Sequence, residues 1–540
     1  MRSPFAPLFP ALLLTLLLAL ASVAAAQSPG QDPDPEAVLG DLEDFMAQTM
    51  RDWDVPGAAV AVVKDGRTVY AKGFGLRDVD EKLPVTPDTV FAIGSCTKAF
   101  TAAALCLLAD QGALNLDAPV RDVMPAFRLF DDYATAHVTP RDMLLHRTGL
   151  PRYDALVALR PDLTRQEIVD ALRHLEPNKE LRAGFEYNNL MYAAAGRLVE
   201  VVSGKSWEDF VAERFFAPLG MASASFDPER VRQSPDHALP YALRRGRLVE
   251  LPMKDITPVG PAGSINASVS DMARWLAFQL GDGRVGDLPI LSKKAMTLMH
   301  SPQIITPSGE PNPEIPFGGY GLGWGVTAYR GHLLVLHDGE IDGFKALASL
   351  MPDDGLGVTV LTNRTGTPLP EIVAFQVYDR LLGLSPFPWG DRAKARRAEA
   401  EKAEAAGKDA ARKDPGTPSP PTHALTEYAG TYVHPAFGQV VVSHRDGTLE
   451  ATLGGETFPL IHAAYDMFRA GQSREARDRD EPAEDLSLKF RMDDAGAIAR
   501  LDISLQANAK DIAFTRSATG PGQSGPSGTS GGAPQGATRP

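Results

Sequence analysis

The sequence predicts an α+β fold: an antiparallel sheet flanked by helices, with a helical subdomain, over residues 36–385, then a small antiparallel β-barrel over 423–516. Three observations carry this. Two apolar runs, 57–64 and 68–74, flank Asp65-Gly66, and Asp-Gly between apolar strands is a strong hairpin signal. The middle of this unit, about 115 to 305, has helical periodicity broken by loops rich in Pro, Asp and Gly, and strand patterns return at 320–328, 332–337, 344–351 and 357–361. Strands on either side of a helical middle mean that the two ends meet in one sheet. Beyond 425 the pattern changes to short alternating strands between turns, as in 439–443, Arg445-Asp446-Gly447 and 448–452, which suits a small barrel or sandwich.

The remaining elements follow in chain order. Arg2 precedes an apolar run at 11–23, and Ala24-Ala25-Ala26-Gln27 supplies a small-x-small cleavage pattern. The run falls short of the roughly 20 residues of a spanning helix. Residues 1–26 are therefore expected to be a signal peptide cut after Ala26, giving a secreted or periplasmic protein with no stable membrane insertion. No Cys follows the run, so a lipoprotein-type anchor is not expected. A polar lead-in precedes a first amphipathic helix at 35–52, and a third strand at 89–93 runs through Gly94-Ser95 into an alanine-rich helix ending near Gln111. A helix at 369–382 closes the first unit. The segment 390–422 reads as a linker, a charged helical stretch to 413 followed by a stiff proline spacer at 415–421. The Gly/Ser/Pro-rich tail, 517–540, is expected to be disordered. Its Gly528-Thr529-Ser530-Gly531-Gly532 matches a nucleophile-elbow pattern by accident, because no strand precedes it and no helix follows.

Composition excludes several classes. With 44% hydrophobic and 23% charged residues the chain is ordinary globular protein, neither fibrous nor polytopic. Its 54 basic residues against 68 acidic ones leave a net charge of -14 and no basic stripe outside one short linker, whose basic residues are interleaved with acids, so nucleic-acid partners are not expected. Cys96 and Cys106 sit ten positions along one predicted helix, about 15 Å, too far apart for a disulfide. The histidines form no His-x-His or His-Glu-x-x-His pattern, so no metal site and no cofactor are expected.

Ser95-Cys96-Thr97-Lys98 is a Ser-x-x-Lys pattern where a strand hands over to a helix. The serine hydroxyl lies in the positive field of a helix N-terminus, and Lys98 projects from the same face within reach of it. An ammonium there lowers the cost of a developing alkoxide, and a desolvated neutral amine takes the proton itself. Alone the pattern is weak; a cap serine and a solvated lysine explain it equally well. Tyr187-Asn188-Asn189 and His337-Asp338-Gly339 add a Tyr-x-Asn and a His-x-Gly.

With these three motifs in order, the chain resembles the serine β-lactamase and penicillin-binding-protein superfamily, in its class C-like esterase and D-peptidase branch. The stretches 56–62, 144–151, 261–268 and 320–324 are similar to that family too, and the C-terminal unit resembles the lipocalin-like domain of some members. The resemblance implies an acyl-enzyme on Ser95, with Lys98 and Tyr187 sharing the proton work and the phenol's pKa pulled down by the adjacent cation. Asn189 would bind the substrate amide or hold Lys98. The backbone N–H groups of Ser95 and Glu340, beside Gly339, would form the oxyanion hole. Which of Lys98 and Tyr187 is the base stays open.

Two departures bear on specificity. His337 stands where many relatives have lysine, and a neutral imidazole donates a hydrogen bond without a full charge. Glu340 places a carboxylate at the site rim if its side chain points inward. Both argue for small-molecule esters, amides or short, D-amino-acid-type peptides over anionic β-lactams. A β-lactamase or D,D-carboxypeptidase, and a penicillin-binding sensor that never turns over, are the competing readings. His146 is expected to be a satisfied histidine holding the turn at Gly149 rather than a ligand or base. Nothing in the sequence assigns an oligomeric state.

Overall fold

The computed structural model describes residues 35–307, 312–413, 419–478, 486–506 and 508–518. The leader at 1–26, positions 415–418 of the proline spacer and the tail from 519 onward lie outside the described residues.

Six strands make most of one antiparallel sheet: β1 (Gly57–Lys64), β2 (Arg67–Asp78), β3 (Gly325–Tyr329), β4 (His332–Ile341), β5 (Phe344–Met351) and β6 (Leu356–Thr362). The spatial order is β3-β4-β5-β6-β1-β2, extended by short strands at Ile304–Ile305 and Gly319–Tyr320 on one edge and Leu83–Pro84 on the other. The N-terminal hairpin thus pairs with late strands, Val60 opposite Val360. Strand β1 reads as a continuous apolar run because both of its faces are covered. Ala59, Ala61 and Val63 face one core, while Ala58, Val60 and Val62 face a second.

Five helices frame this sheet: α1 (Leu42–Asp52), α2 (Thr97–Asp110), α3 (Asn189–Ser203), α4 (Val269–Leu280) and α5 (Leu369–Leu381). The second core takes Leu42, Met46 and Met50 of α1 with Leu369, Val373 and Val377 of α5. On the opposite face α2 is buried from Thr97 to Leu108, which its small alanines permit, and Phe100 stacks on Trp275 of α4. The charged connector is helical, Trp389–Lys413, and its first turns rest on α1 through Lys394–Asp52 at 2.8 Å.

Three expected elements are shorter than their sequence patterns. The first helix divides into Pro35–Val38 and α1, broken at Gly40. The strand at 89–93 reduces to Phe91–Ala92, paired with Asn266–Ala267 outside the main sheet. The strand at 320–328 is interrupted by a turn in which Gly323 takes φ +77, with its Cα pressed on the backbone of α2. Any side chain there would meet the Lys98 carbonyl at 2.7 Å.

The C-terminal unit is a closed eight-stranded antiparallel barrel from Gly430–His434 to Ile512–Arg516, in which the last strand pairs with the first. Tyr432, Val440, Phe468, Phe490 and Phe514 fill it. It meets the helical subdomain along residues 153–178. Phe437 packs on Tyr153, Asn178 Nδ2 donates to the Asn508 carbonyl at 2.6 Å, and the Asp154 N–H donates to Gln506 Oε1 at 3.0 Å.

Candidate active site

Ser95 lies on a 3₁₀ turn, Gly94–Cys96, that leads into α2. Strand β4 crosses this turn at close range. A Cβ on Gly339 would collide with the Ile93 carbonyl and stand 2.9 Å from Ser95 N; one on Gly94 would stand 2.8 Å from Glu340 N. Only glycine permits this approach, which is the physical reason for the third residue of His-x-Gly. It sets the backbones carrying the Ser95 and Glu340 amides side by side. Cys96 Sγ adds a bond to the His337 carbonyl at 3.2 Å.

Lys98 is fully buried. Its Nζ lies 3.0 Å from Ser95 Oγ, 2.8 Å from Asn189 Oδ1 and 2.9 Å from the Ala262 carbonyl. Asn189 opens α3, whose N-cap is the Asn188 side chain accepting from Met191 N at 2.7 Å. Asn189 Nδ2 donates to Asp154 Oδ1 at 2.9 Å. A carboxylate only accepts, so this bond fixes the amide with its oxygen toward Lys98. Ala262 belongs to the stretch 261–268 noted in the sequence, and Pro261 seats against Gly196 of α3. Loss of water around the amine pushes the Lys98 pKa down to about 7, helped by Arg152 and opposed by Asp154 and Asp338.

The Tyr187 hydroxyl lies 2.9 Å from Ser95 Oγ. Its pKa moves opposite to the sequence expectation. Burial raises the phenol above its ordinary value, and the bond with Ser95 and the Arg152 charge do not overcome that. The ring lies against His146 at 4.3 Å between centroids, with the Arg152 guanidinium 5.2 Å from its centre.

His146 has a different job from the one expected. Its Nδ1 accepts the Asn188 N–H at 3.0 Å and its carbonyl accepts the Glu186 N–H at 2.7 Å, so it anchors the Tyr-x-Asn loop rather than the Gly149 turn. Burial holds it neutral. Among the described residues its Nε2 has no hydrogen-bond partner.

His337 and Glu340 also correct the sequence expectations. His337 faces Ser95's side of the sheet, buried, with Nδ1 2.6 Å from the Asp338 carbonyl and Nε2 2.9 Å from the Tyr320 hydroxyl. A carbonyl cannot donate, so Nδ1 carries the hydrogen and Nε2 accepts from Tyr320. Burial lowers its pKa to about 4. The neutral ring therefore has no spare donor for a substrate. The Glu340 side chain points to the other face of the sheet, where its carboxylate accepts from Gly366 N at 2.9 Å and from Thr365 and lies 3.6 Å from Lys345. Strand alternation decides this: Gly339 must face the turn, so Glu340 cannot.

The structure thus brings together Ser95, Lys98, Tyr187 and Asn189, with Gly339 and the Glu340 backbone beside them. It adds Asp154, which sequence reasoning did not single out, and gives roles to Ala262 and Tyr320, which lie in stretches noted only for their family likeness. Asp154 is 35 positions from Asn189, and no local pattern announces it.

Comparison with known proteins identifies the family. A family model described as Beta-lactamase matches residues 42–381, and a domain of unknown function matches 414–516. An unguisins hydrolase of Aspergillus campestris is 32% identical over 423 residues, covering 74% of this chain and 77% of its own length. Protein flp of Staphylococcus aureus is 28% identical, covering 62% of this chain and 64% of its own. Among solved structures, the octameric penicillin-binding protein homologue from Pyrococcus abyssi is 26% identical with a TM-score of 0.59, over 88% of this chain and all of that one. The D-amino acid amidase from Ochrobactrum anthropi SV3 is 28% identical with a TM-score of 0.52, over 64% of this chain and 97% of that one. With its sheet, its serine turn and its family match spanning 42–381, the chain belongs to the Beta-lactamase family.

Proposed function

We propose that this chain is a serine hydrolase acting by acyl transfer on esters, amides or short peptides, D-amino-acid peptides included, with neutral Lys98 as the base. One observation carries the assignment of the base. Two of the three partners of Lys98 Nζ, Asn189 Oδ1 and the Ala262 carbonyl, are acceptors only. A neutral amine has two hydrogens, and these two oxygens take both. Its lone pair is then left facing Ser95 Oγ at 3.0 Å. Tyr187, with its raised pKa, keeps its proton at neutral pH and donates to the serine oxygen.

The steps follow. Ser95 Oγ attacks the carbonyl carbon while its proton passes to Lys98, and the oxyanion settles between the Ser95 and Glu340 N–H groups. As the scissile bond breaks, Tyr187 protonates the departing oxygen or nitrogen and recovers a proton from Lys98, whose Nζ lies 4.7 Å from the centre of the phenol ring. Water then attacks the acyl-enzyme by the same proton route in reverse. The names of the relatives, an unguisins hydrolase and a D-amino acid amidase, support amide substrates. The leader-like N-terminus supports action outside the cytoplasm.

The test is a pH profile of kcat/KM for p-nitrophenyl acetate and a D-amino-acid amide. Activity needs the unprotonated amine, so it should rise with pH through about 7 and stay high above it. A fluorophosphonate probe should label Ser95. Labelling of another serine refutes the nucleophile, and a profile flat through about 7 refutes the base.

A further inference from the structure

One contact joins the barrel to the catalytic lysine by a short chain of hydrogen bonds. Gln506, in the loop after the barrel strand Ile498–Ile503, accepts the backbone N–H of Asp154 at 3.0 Å. Asp154 Oδ1 accepts Asn189 Nδ2 at 2.9 Å, and Asn189 Oδ1 lies 2.8 Å from Lys98 Nζ. Asp154 Oδ2 is taken by Arg152 Nε at 2.6 Å. We infer that Gln506 is a positioning residue: by holding the 151–154 turn, the barrel keeps Asp154 where it orients Asn189 toward the catalytic lysine. The inference rests on Lys98 acting in the reaction proposed above.

The surroundings favour this reading over simple docking. Asp154 is half-buried and stands at the N-terminus of a one-turn helix, Ala155–Leu159, too short to hold its own place. Its side chain does not cap that helix, because both oxygens are committed to Asn189 and Arg152. On its C-terminal side Leu159 and Arg160 lie against the barrel turns at Gly454 and Gly438. Tyr153, beside it, is buried with its hydroxyl donating to the Glu176 carbonyl at 2.8 Å and its ring against Phe437. The backbone N–H of Asp154 is thus met by a barrel side chain in a segment that the barrel already lines.

The experiment compares four variants in the full-length protein. Gln506→Met keeps the volume and removes the acceptor; Gln506→Glu keeps the acceptor. Asp154→Asn removes the charge that fixes the Asn189 amide. Asn178→Ala removes a barrel contact that has no link to Asp154. The readouts are kcat and KM for p-nitrophenyl acetate and the acid limb of kcat. The charged and titratable groups around Lys98 are Arg152 and Asp154 from the turn, His337 from β4, His146, Cys96, Tyr187 and Tyr192, with Asp338 acting on it from the other face of β4. Asp154 holds the lysine's pKa up, so Asp154→Asn should move the acid limb to lower pH and cost about 10- to 100-fold in kcat, the scale of misplaced reacting groups. Gln506→Met should lose kcat several-fold at unchanged KM, Gln506→Glu should restore most of it, and Asn178→Ala should leave both parameters in place. Wild-type kcat in a folded Gln506→Met, or an equal loss in Asn178→Ala, overturns the proposal. A wild-type profile flat through about 7 would count against the base instead, and the ratio of the two Gln506 variants would still decide this question.

Discussion

The sheet unit and the barrel bury their interiors differently. Inside the sheet unit lie Lys98, Asp142, His146, Asn188, Asn266 and His337, all nearly inaccessible to water and tied into hydrogen-bond networks. The barrel interior is aromatic and aliphatic, with Tyr432, Phe468, Phe490, Leu501 and Phe514 inside and few buried polar side chains among the described residues. Burying a polar group is costly unless it is bonded, so a fold that buries several has committed its packing to holding them in place. The proposed chemistry belongs to that region. The barrel is a closed body with an apolar interior that touches the edge of the site at Asp154.

The comparison is broken most severely by removing the proposed reacting groups. Ser95→Ala, Lys98→Ala and Tyr187→Phe should each cost several orders of magnitude in kcat, and a double variant should lose little more than a single one, because in the proposed mechanism the residues act as one unit. Equal, additive losses would mean that they work separately. No change of this size is expected from any barrel substitution.

Next comes the contact between β4 and the serine turn. In Gly339→Ala the new methyl overlaps the Ile93 carbonyl, so strand and turn must part and the paired amides with them. Oxyanion-hole losses run to about 100- to 1,000-fold in kcat, and a loss near that range is expected, with a lowered Tm. Wild-type kinetics would remove the Glu340 amide from the site.

A barrel-core substitution sharpens the contrast from the other side. Phe490→Ala opens a cavity among Tyr428, Tyr432 and Phe468 and should cost about 3–5 kcal/mol of stability. Below its lowered unfolding temperature, the variant should still label at Ser95. Loss of labelling in a chain whose barrel is folded would show that the interior of the barrel matters to the chemistry.

The smallest effect is expected at Glu340. Its carboxylate is bound to Gly366 on the far face, so Glu340→Gln should leave the preference between neutral and anionic p-nitrophenyl esters unchanged. A clear gain on the anionic ester would place that charge back at the rim.

Much of this was legible in the chain itself. The hairpin at Asp65-Gly66, the helix after Ser95 and the barrel strands follow from local periodicity and turn chemistry, which act between near neighbours. The Ser-x-x-Lys pattern is local too: Lys98 reaches Ser95 because both stand on one turn of chain. The direction of the Glu340 side chain was implicit in strand alternation once Gly339 had to face the turn. Other features depend on distances the sequence does not contain. Asp154 meets Asn189, and Ala262 meets Lys98, only after helices far apart in the chain have packed. The pKa of Lys98, the raised phenol of Tyr187 and the neutral, fully occupied His337 are products of burial, and burial is settled by the whole fold. Residue types and their order determined the family and pointed to the proposed reacting groups, because these are set by covalent identity and local geometry. Which group is charged, which hydrogen is free and which domain touches the site were decided by tertiary structure, because desolvation and long-range contacts exist only once the chain has closed around them.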